Sequence, residues 1–291
     1  MYLDLDRNAA DASRSRLAAH GAGEWTVIVP FFNERACIAA TIASLSAQTV
    51  QPLLLLVDNG STDGGAAVAR AACERLGVAY RVLTERAPGK IAALAAGLAE
   101  VRTPYVATCD ADTLYPRHYL AAAQRVLEQP GCAIAGAYYV APDALDTERL
   151  ARARTVRAAA RLLPRQSHTG GAGQAFRTAA LRAAGGFDAR RWSLVLEDHE
   201  IVHRVLAFGT MRYAADLWCS PSPRERDRDS IRWTLVERLL YSAAAPWAGD
   251  WFFYRFLAPR LRRRKLVSSS IRERCFQPAE GPILATPHPV F

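Results

Sequence analysis

The chain has 291 residues, 51% of them hydrophobic, enough to bury a large core, and it is read as one domain with a C-terminal appendage. A formal charge of +9 favours phosphate-bearing partners such as nucleotides, anionic lipid or nucleic acid, without choosing among them. Six scattered cysteines without a CxxC pair exclude a thiol-pair motif and read as reduced core residues of an intracellular protein. The absence of an apolar h-region in residues 1–24, and of any run of 18 uncharged apolar residues, leaves no secretion signal or membrane span expected.

Residues 1–24 read as a polar lead-in, and Trp25 to Phe31 as a first buried strand. Asn33 and Glu34 are expected to open a helix through about Ala47, followed by a strand over Leu53 to Val57. Ser61-Thr62-Asp63 then supplies N-cap chemistry for a helix ending at Gly77, and Val78 to Leu83 is a third strand. Pro88-Gly89-Lys90 precedes a helix to about Arg102, and a fourth strand reaches Cys109. Further helices are expected over Pro116 to Glu128, Ala144 to Leu163, Glu197 to Phe208 and Ile231 to Ala244, with a strand near Cys132 to Val140 and a break at Gly170 to Gly173. The alternation predicts an α/β fold with a mostly parallel central sheet, whose ligands bind beyond the carboxyl ends of the strands.

Two acidic clusters stand where strands stop: Asp58-Asn59-Gly60-Ser61-Thr62-Asp63 and Asp110-Ala111-Asp112. Carboxylates gathered on one sheet edge are tolerable with a cation or a polyhydroxyl ligand between them. In order along the chain come Val29-Pro30-Phe31-Phe32-Asn33-Glu34, Val57 to Asp63, Gly89-Lys90, Asp110 to Asp112, Gly185-Gly186-Phe187-Asp188 and Glu197-Asp198. In this set and order the chain resembles the family 2 glycosyltransferases over roughly residues 25–215, which implies a GT-A fold, a nucleotide-binding half at 25–112, an acceptor half at 113–215 and a helical, aromatic and basic extension at 216–291.

The resemblance further implies that Pro30, Phe32, Glu34, Asp58, Lys90, Asp110 and Ala111 contact a nucleotide-sugar, most naturally a UDP-sugar. Asp112, with Asp110, would hold Mn²⁺ or Mg²⁺, hard ions that prefer carboxylate oxygens. Asp198 maps to the base that takes the acceptor proton, beside an orienting Glu197. A single base opposite the leaving group implies direct displacement with inversion. Gly171, Gly173, Arg232 and Trp233 fall on the acceptor side. The family's QxxRW motif survives only as Asp229-Ser230-Ile231-Arg232-Trp233, so a processive polymerase is not expected.

His199-Glu200-Ile201-Val202-His203 is also a literal HExxH, the zinc-peptidase spacing, but Gly209 stands where a metzincin needs its third histidine. A catalytically silent nucleotide-sugar binding protein would keep Asp58 and Asp112 without needing Asp198. The aromatic stretch Pro246 to Phe256 and the basic run Arg260 to Lys265 fit either an anionic membrane surface bound through residues 247–265 or a helix packed on the core. Nucleic acid is not expected, because the aromatics form one block instead of interleaving with the cations. These readings place the chain in the cytoplasm or on the inner membrane face, acting on a lipid- or glycan-linked acceptor.

Overall fold

In this computed structural model residues 23–222 and 233–271 are described. The first half runs β1 (Trp25–Phe31), α1 (Ile38–Ser46), β2 (Leu53–Asp58), α2 (Gly65–Leu76), β3 (Tyr80–Thr84), α3 (Lys90–Glu100), β4 (Tyr105–Thr108), β5 (Thr113–Leu114) and α4 (Tyr119–Leu127). Then come β6 (Cys132–Gly136), β7 (Tyr138–Tyr139), α5 (Asp146–Leu162), a 3₁₀ turn at Gly171–Gly173, β8 (Gln174–Arg177), α6 (Thr178–Ala183), α7 (Glu197–Val205), β9 (Thr210–Arg212) and β10 (Trp218–Pro221). The C-terminal part holds α8 (Leu235–Asp250), a π-helical stretch at Trp251–Leu257, α9 (Ala258–Arg263) and α10 (Ser268–Ile271).

The central sheet has the order β3-β2-β1-β4-β8-β6-β9, and β8 alone runs antiparallel to its neighbours. A small sheet of order β5-β10-β7 lies beyond it. Period-2 alternation divides the apolar side chains between two layers. Trp25, Val27, Val29, Leu54 and Leu56 face α1, α2 and α4, whereas Ile28, Leu55 and Val57 face α3, α7 and the C-terminal helices. The register Phe31↔Asp58 and the bond from Cys109 N to Ile28 O bring the ends of β1, β2 and β4 to one edge.

Several expected boundaries move. The first helix begins at Ile38, because Asn33 lies in the left-handed region (φ 54°) and its Oδ1 accepts from Thr62 N. The second begins at Gly65, with Asp63 Oδ1 accepting from Gly65 N at 2.8 Å. The strand expected over Cys132 to Val140 is two strands in different sheets, since Ala137 N turns to Gly173 O between them. Helix α7 ends at Val205, short of Phe208, and α8 starts only after Thr234, which caps it reciprocally with Glu237; Ile231 and Arg232 lie outside the described residues. Of the C-terminal aromatics, Phe252 and Phe253 are in the core, while Trp247 and Trp251 are exposed. The five described cysteines are buried. Among the described residues no helix is long and apolar enough to cross a membrane.

Candidate functional site

Asp58 ends β2, and its Oδ1 accepts from Ser61 N at 2.8 Å, closing the turn that Asn and Gly at 59 and 60 permit. Beside it, Asn33 N donates to Ser61 Oγ and Arg35 N to Asp63 Oδ2, so the segment from Pro30 to Glu34 is fastened to the Asp58 turn. Pro30 is buried, and Phe32 and Glu34 are half-buried along the rim. Asn59 is buried and reaches the next loop: its Nδ2 donates to Glu85 O and Ala87 O, and its Oδ1 accepts from Gly89 N at 2.7 Å. Gly89 has φ 116° and would place a Cβ 3.0 Å from Ser268 Oγ, so only glycine suits this turn into α3.

That turn delivers Lys90, whose Nζ is 2.6 Å from Asp110 Oδ1 and 3.6 Å from Glu197 Oε1. Two acidic motifs far apart in the chain thus meet on one ammonium. Burial pulls the Lys90 pKa down, but Asp110, Glu197 and Asp198 outweigh it and the net direction is up. The Glu197 carboxyl is pushed up to about 7, chiefly by burial; Lys90 opposes the rise, and Asp198 and Asp110 add to it. Leu196, just before α7, has φ 64°, a strained conformation for a leucine that sets the direction in which Glu197 and Asp198 leave the helix.

Ala111 and Asp112 are buried in the turn from β4 to β5; Thr113 Oγ1 lies 3.4 Å from Asp112 Oδ1, and Asp112 O accepts from Ser222 N. Among the described residues no three His, Cys, Asp or Glu side chains gather as a ready metal cage. The two aspartates fit a hard ion that completes its shell with phosphate and water, as Mg²⁺ and Mn²⁺ do.

On the far side, Asp198 Oδ1 accepts from His199 N at 2.9 Å. A Cβ on Gly171 would stand 3.0 Å from Asp198 Cβ and 3.6 Å from its Oδ2, so the glycine gives the carboxylate room beside the 170–173 loop. Gly173 is buried at the end of that loop. Trp233 stacks on Tyr241 at 5.1 Å, with the ring of His199, the neighbour of Asp198, edge-on to it; Arg232 is outside the described residues.

Two residues that the sequence reading missed hold the two halves together. Tyr115 OH accepts from Asp110 N and donates to Ala172 O at 2.7 Å, and Tyr139 OH accepts from Ala172 N. Burial raises both phenols, so both stay neutral. Tyr115 follows the Asp110-Ala111-Asp112 turn closely, but nothing local says that its hydroxyl spans to residue 172.

The glutamate and the second histidine of the HExxH sequence are otherwise engaged. Glu200 is buried, pairs with Arg204 through both oxygens at 2.7 and 2.9 Å, and accepts from Tyr254 OH at 2.5 Å. His203 Nε2 meets Asp250 Oδ1 at 2.8 Å, and its ring stacks on Phe253.

A family model described as "Glycosyl transferase family 2" matches residues 26–185. An undecaprenyl-phosphate 4-deoxy-4-formamido-L-arabinose transferase of Serratia proteamaculans (strain 568) is 33% identical over 109 residues, 36% of this chain and 33% of that protein. A dodecaprenyl-phosphate galacturonate synthase of Rhizobium johnstonii is 35% identical over 94 residues, 31% of this chain and 28% of that protein. The matched segments therefore span a third or less of these two relatives. Among solved structures, the mannosyltransferase PcManGT of Pyrobaculum calidifontis, in complex with GDP-Man and Mn²⁺, aligns with TM-score 0.63 at 20% identity, covering 89% of this chain and 79% of that one. S. aureus TarS 1-349 aligns with TM-score 0.56 at 16% identity, covering 80% and 70%. At such identities the likeness is one of fold, and the fold is GT-A.

Proposed function

Because the chain belongs to glycosyl transferase family 2, we propose that it moves a sugar from a nucleotide-sugar, with UDP as the first nucleotide to test, to an acceptor hydroxyl on a lipid or glycan. The observation that carries the reading is the meeting of Lys90, Asp110 and Glu197 at the carboxyl edge of the sheet, with Asp198 beside them. Glycosyl transfer develops cationic character at the sugar C1 and negative charge on the leaving diphosphate. Lys90, at the N-terminus of α3, adds its charge to a helix end that already favours anions. Asp58 and the segment from Pro30 to Glu34 would receive the nucleoside, with Ala111 beneath it. Asp112 and Asp110 would hold Mn²⁺ or Mg²⁺, which supplies positive charge to the diphosphate.

Asp198 takes the proton from the acceptor hydroxyl as its oxygen attacks C1. The bond from C1 to the diphosphate oxygen breaks on the opposite face, so the product is inverted. Glu197, held on Lys90, orients the ammonium. Gly171 and Gly173 leave space for the acceptor next to Asp198, and Trp233 packs behind α7.

The names of the two curated relatives favour a second acceptor, a prenyl phosphate. Its oxygen is already ionised near neutral pH, so it needs little from a base. Asp198→Asn separates the two. With a hydroxyl acceptor, kcat should fall by about 10²- to 10⁴-fold while nucleotide binding survives. Unchanged turnover on a prenyl phosphate would move the acceptor to that class, and unchanged turnover on a hydroxyl would remove the assignment of the base. A lipid-borne acceptor of either kind would be met at a membrane surface.

A further inference from the structure

Helix α5 is anchored by few residues. Ala153 and Val156 are its buried positions, and they pack with Tyr138 and Trp218. From Arg149 to Arg165 the sequence carries six arginines and no acidic residue. Arg149 lies over the Trp218 ring and pairs with Asp146, but Arg152, Arg154, Arg157, Arg161 and Arg165 are exposed, with no carboxylate paired to them among the described residues. Interspersed with them, Leu150 is 49% and Leu162 81% exposed.

Helix α8 presents a second face of the same character. Leu239 is 61% and Trp247 91% exposed, and Leu235 and Val236 are also outward, beside the exposed Arg238. The segment that leaves α5 is fastened to α8, because Gln166 Nε2 donates to Tyr241 O and Ser167 N donates to Tyr241 OH, each at 3.1 Å. The chain then passes directly into the 170–173 loop against Asp198.

We propose that α5 and the outer face of α8 form a docking surface for an anionic lipid bilayer. Unpaired arginines find their complement in acidic headgroups, and the leucines and Trp247 enter the acyl boundary, a division of labour that neither charge nor apolar area provides alone. A folded nucleic acid would match the arginines but leave Leu150, Leu162, Leu239 and Trp247 against water or phosphate. The surface shares Trp247 with the 247–265 stretch that the sequence singles out, but Phe252, Phe253, Leu257 and Leu261 of that stretch are buried and take no part in it. Docking here would set the acceptor loop next to the bilayer, where a lipid-linked acceptor resides. The docking itself rests on the two helices and not on the glycosyltransferase reading.

The test is co-sedimentation of the full chain with vesicles of equimolar phosphatidylcholine and phosphatidylglycerol, beside vesicles of phosphatidylcholine alone. Two variants, Arg154→Glu/Arg157→Glu/Arg161→Glu and Leu239→Ser/Trp247→Ser, are compared after thermal melting shows them folded. The wild type should bind the anionic vesicles, release in high salt and ignore the neutral ones. The arginine variant should bind about a hundredfold more weakly, and the apolar variant at least several-fold more weakly. Equal binding to neutral vesicles, or undiminished binding by either folded variant, would overturn the proposal. So would a wild type that ignores vesicles and is a dimer made monomeric by Leu239→Ser/Trp247→Ser, which would assign the face to a second copy. A wild type that binds vesicles but no nucleotide would leave the docking intact and remove only the reaction.

Discussion

At the scale of single residues, the site is a balance of one ammonium against several carboxylates, and that balance has a consequence for pH. Glu197, raised from its ordinary 4.5 to about 7, keeps a proton in the folded protein that the unfolded chain has already released. The folded state therefore binds more protons across this interval, and its contribution to stability is present at low pH and is lost as pH rises through about 5 to 7. Urea titrations at several pH values should show the wild type losing stability over that window relative to Glu197→Gln. Parallel pH profiles for the two proteins would mean that Glu197 is ionised throughout. Asp58, Asp110 and Asp112 were legible in the sequence because charge at the end of an apolar run is unusual, whereas Lys90, Glu197 and Asp198 stood out through the family resemblance. Tyr115 and Tyr139 were not, since a tyrosine after a strand reads as core until its hydroxyl partner is located, and both partners lie in Ala172, far along the chain.

At the scale of elements, α7 matters most, because it carries Glu197 and Asp198 at one end and is held at the other by buried polar contacts. Arg204 and Glu200 are 8% and 2% exposed at their side chains; Arg204 also donates to Ala184 O, and Tyr254 brings the π-helical segment onto Glu200. Removing one partner of such a pair leaves a buried charge uncompensated, so Arg204→Met should cost about 3–5 kcal/mol in chemical denaturation. Tyr254→Phe, which deletes one hydrogen bond to a charged group, should cost about 2 kcal/mol. A loss below about 1 kcal/mol for Arg204→Met would show that the pair does not fasten the helix. The same network explains why the literal HExxH misleads as a motif: its glutamate and second histidine serve packing between α7 and the C-terminal helices. The long elements were legible from periodicity. The strands β5, β7, β9 and β10, of two to four residues each, are too short to show a period. The strand β8 hides behind its glycines, and its antiparallel course between β4 and β6 is a tertiary choice that no local pattern encodes.

At the scale of the whole molecule, the sheet order places the loops after β1, β2 and β4, proposed to receive the donor, and the 170–173 loop before β8, proposed to face the acceptor, along one edge, with the antiparallel β8 bringing residues 170–173 back to Asp198. Antiparallel pairing of β8 with β4 lets one crevice be built from both halves of the chain. The net charge of +9 is in part concentrated on the exposed arginines of α5. The central claim is that the acidic edge binds a nucleoside diphosphate through a divalent ion. It is tested most directly by calorimetric titration of UDP, GDP, dTDP and CMP into the purified protein, with and without Mn²⁺, beside Asp112→Ala. One diphosphate nucleotide, UDP first, should bind only with Mn²⁺, and Asp112→Ala should abolish the binding. Binding of none of the four by the folded wild-type protein would contradict it.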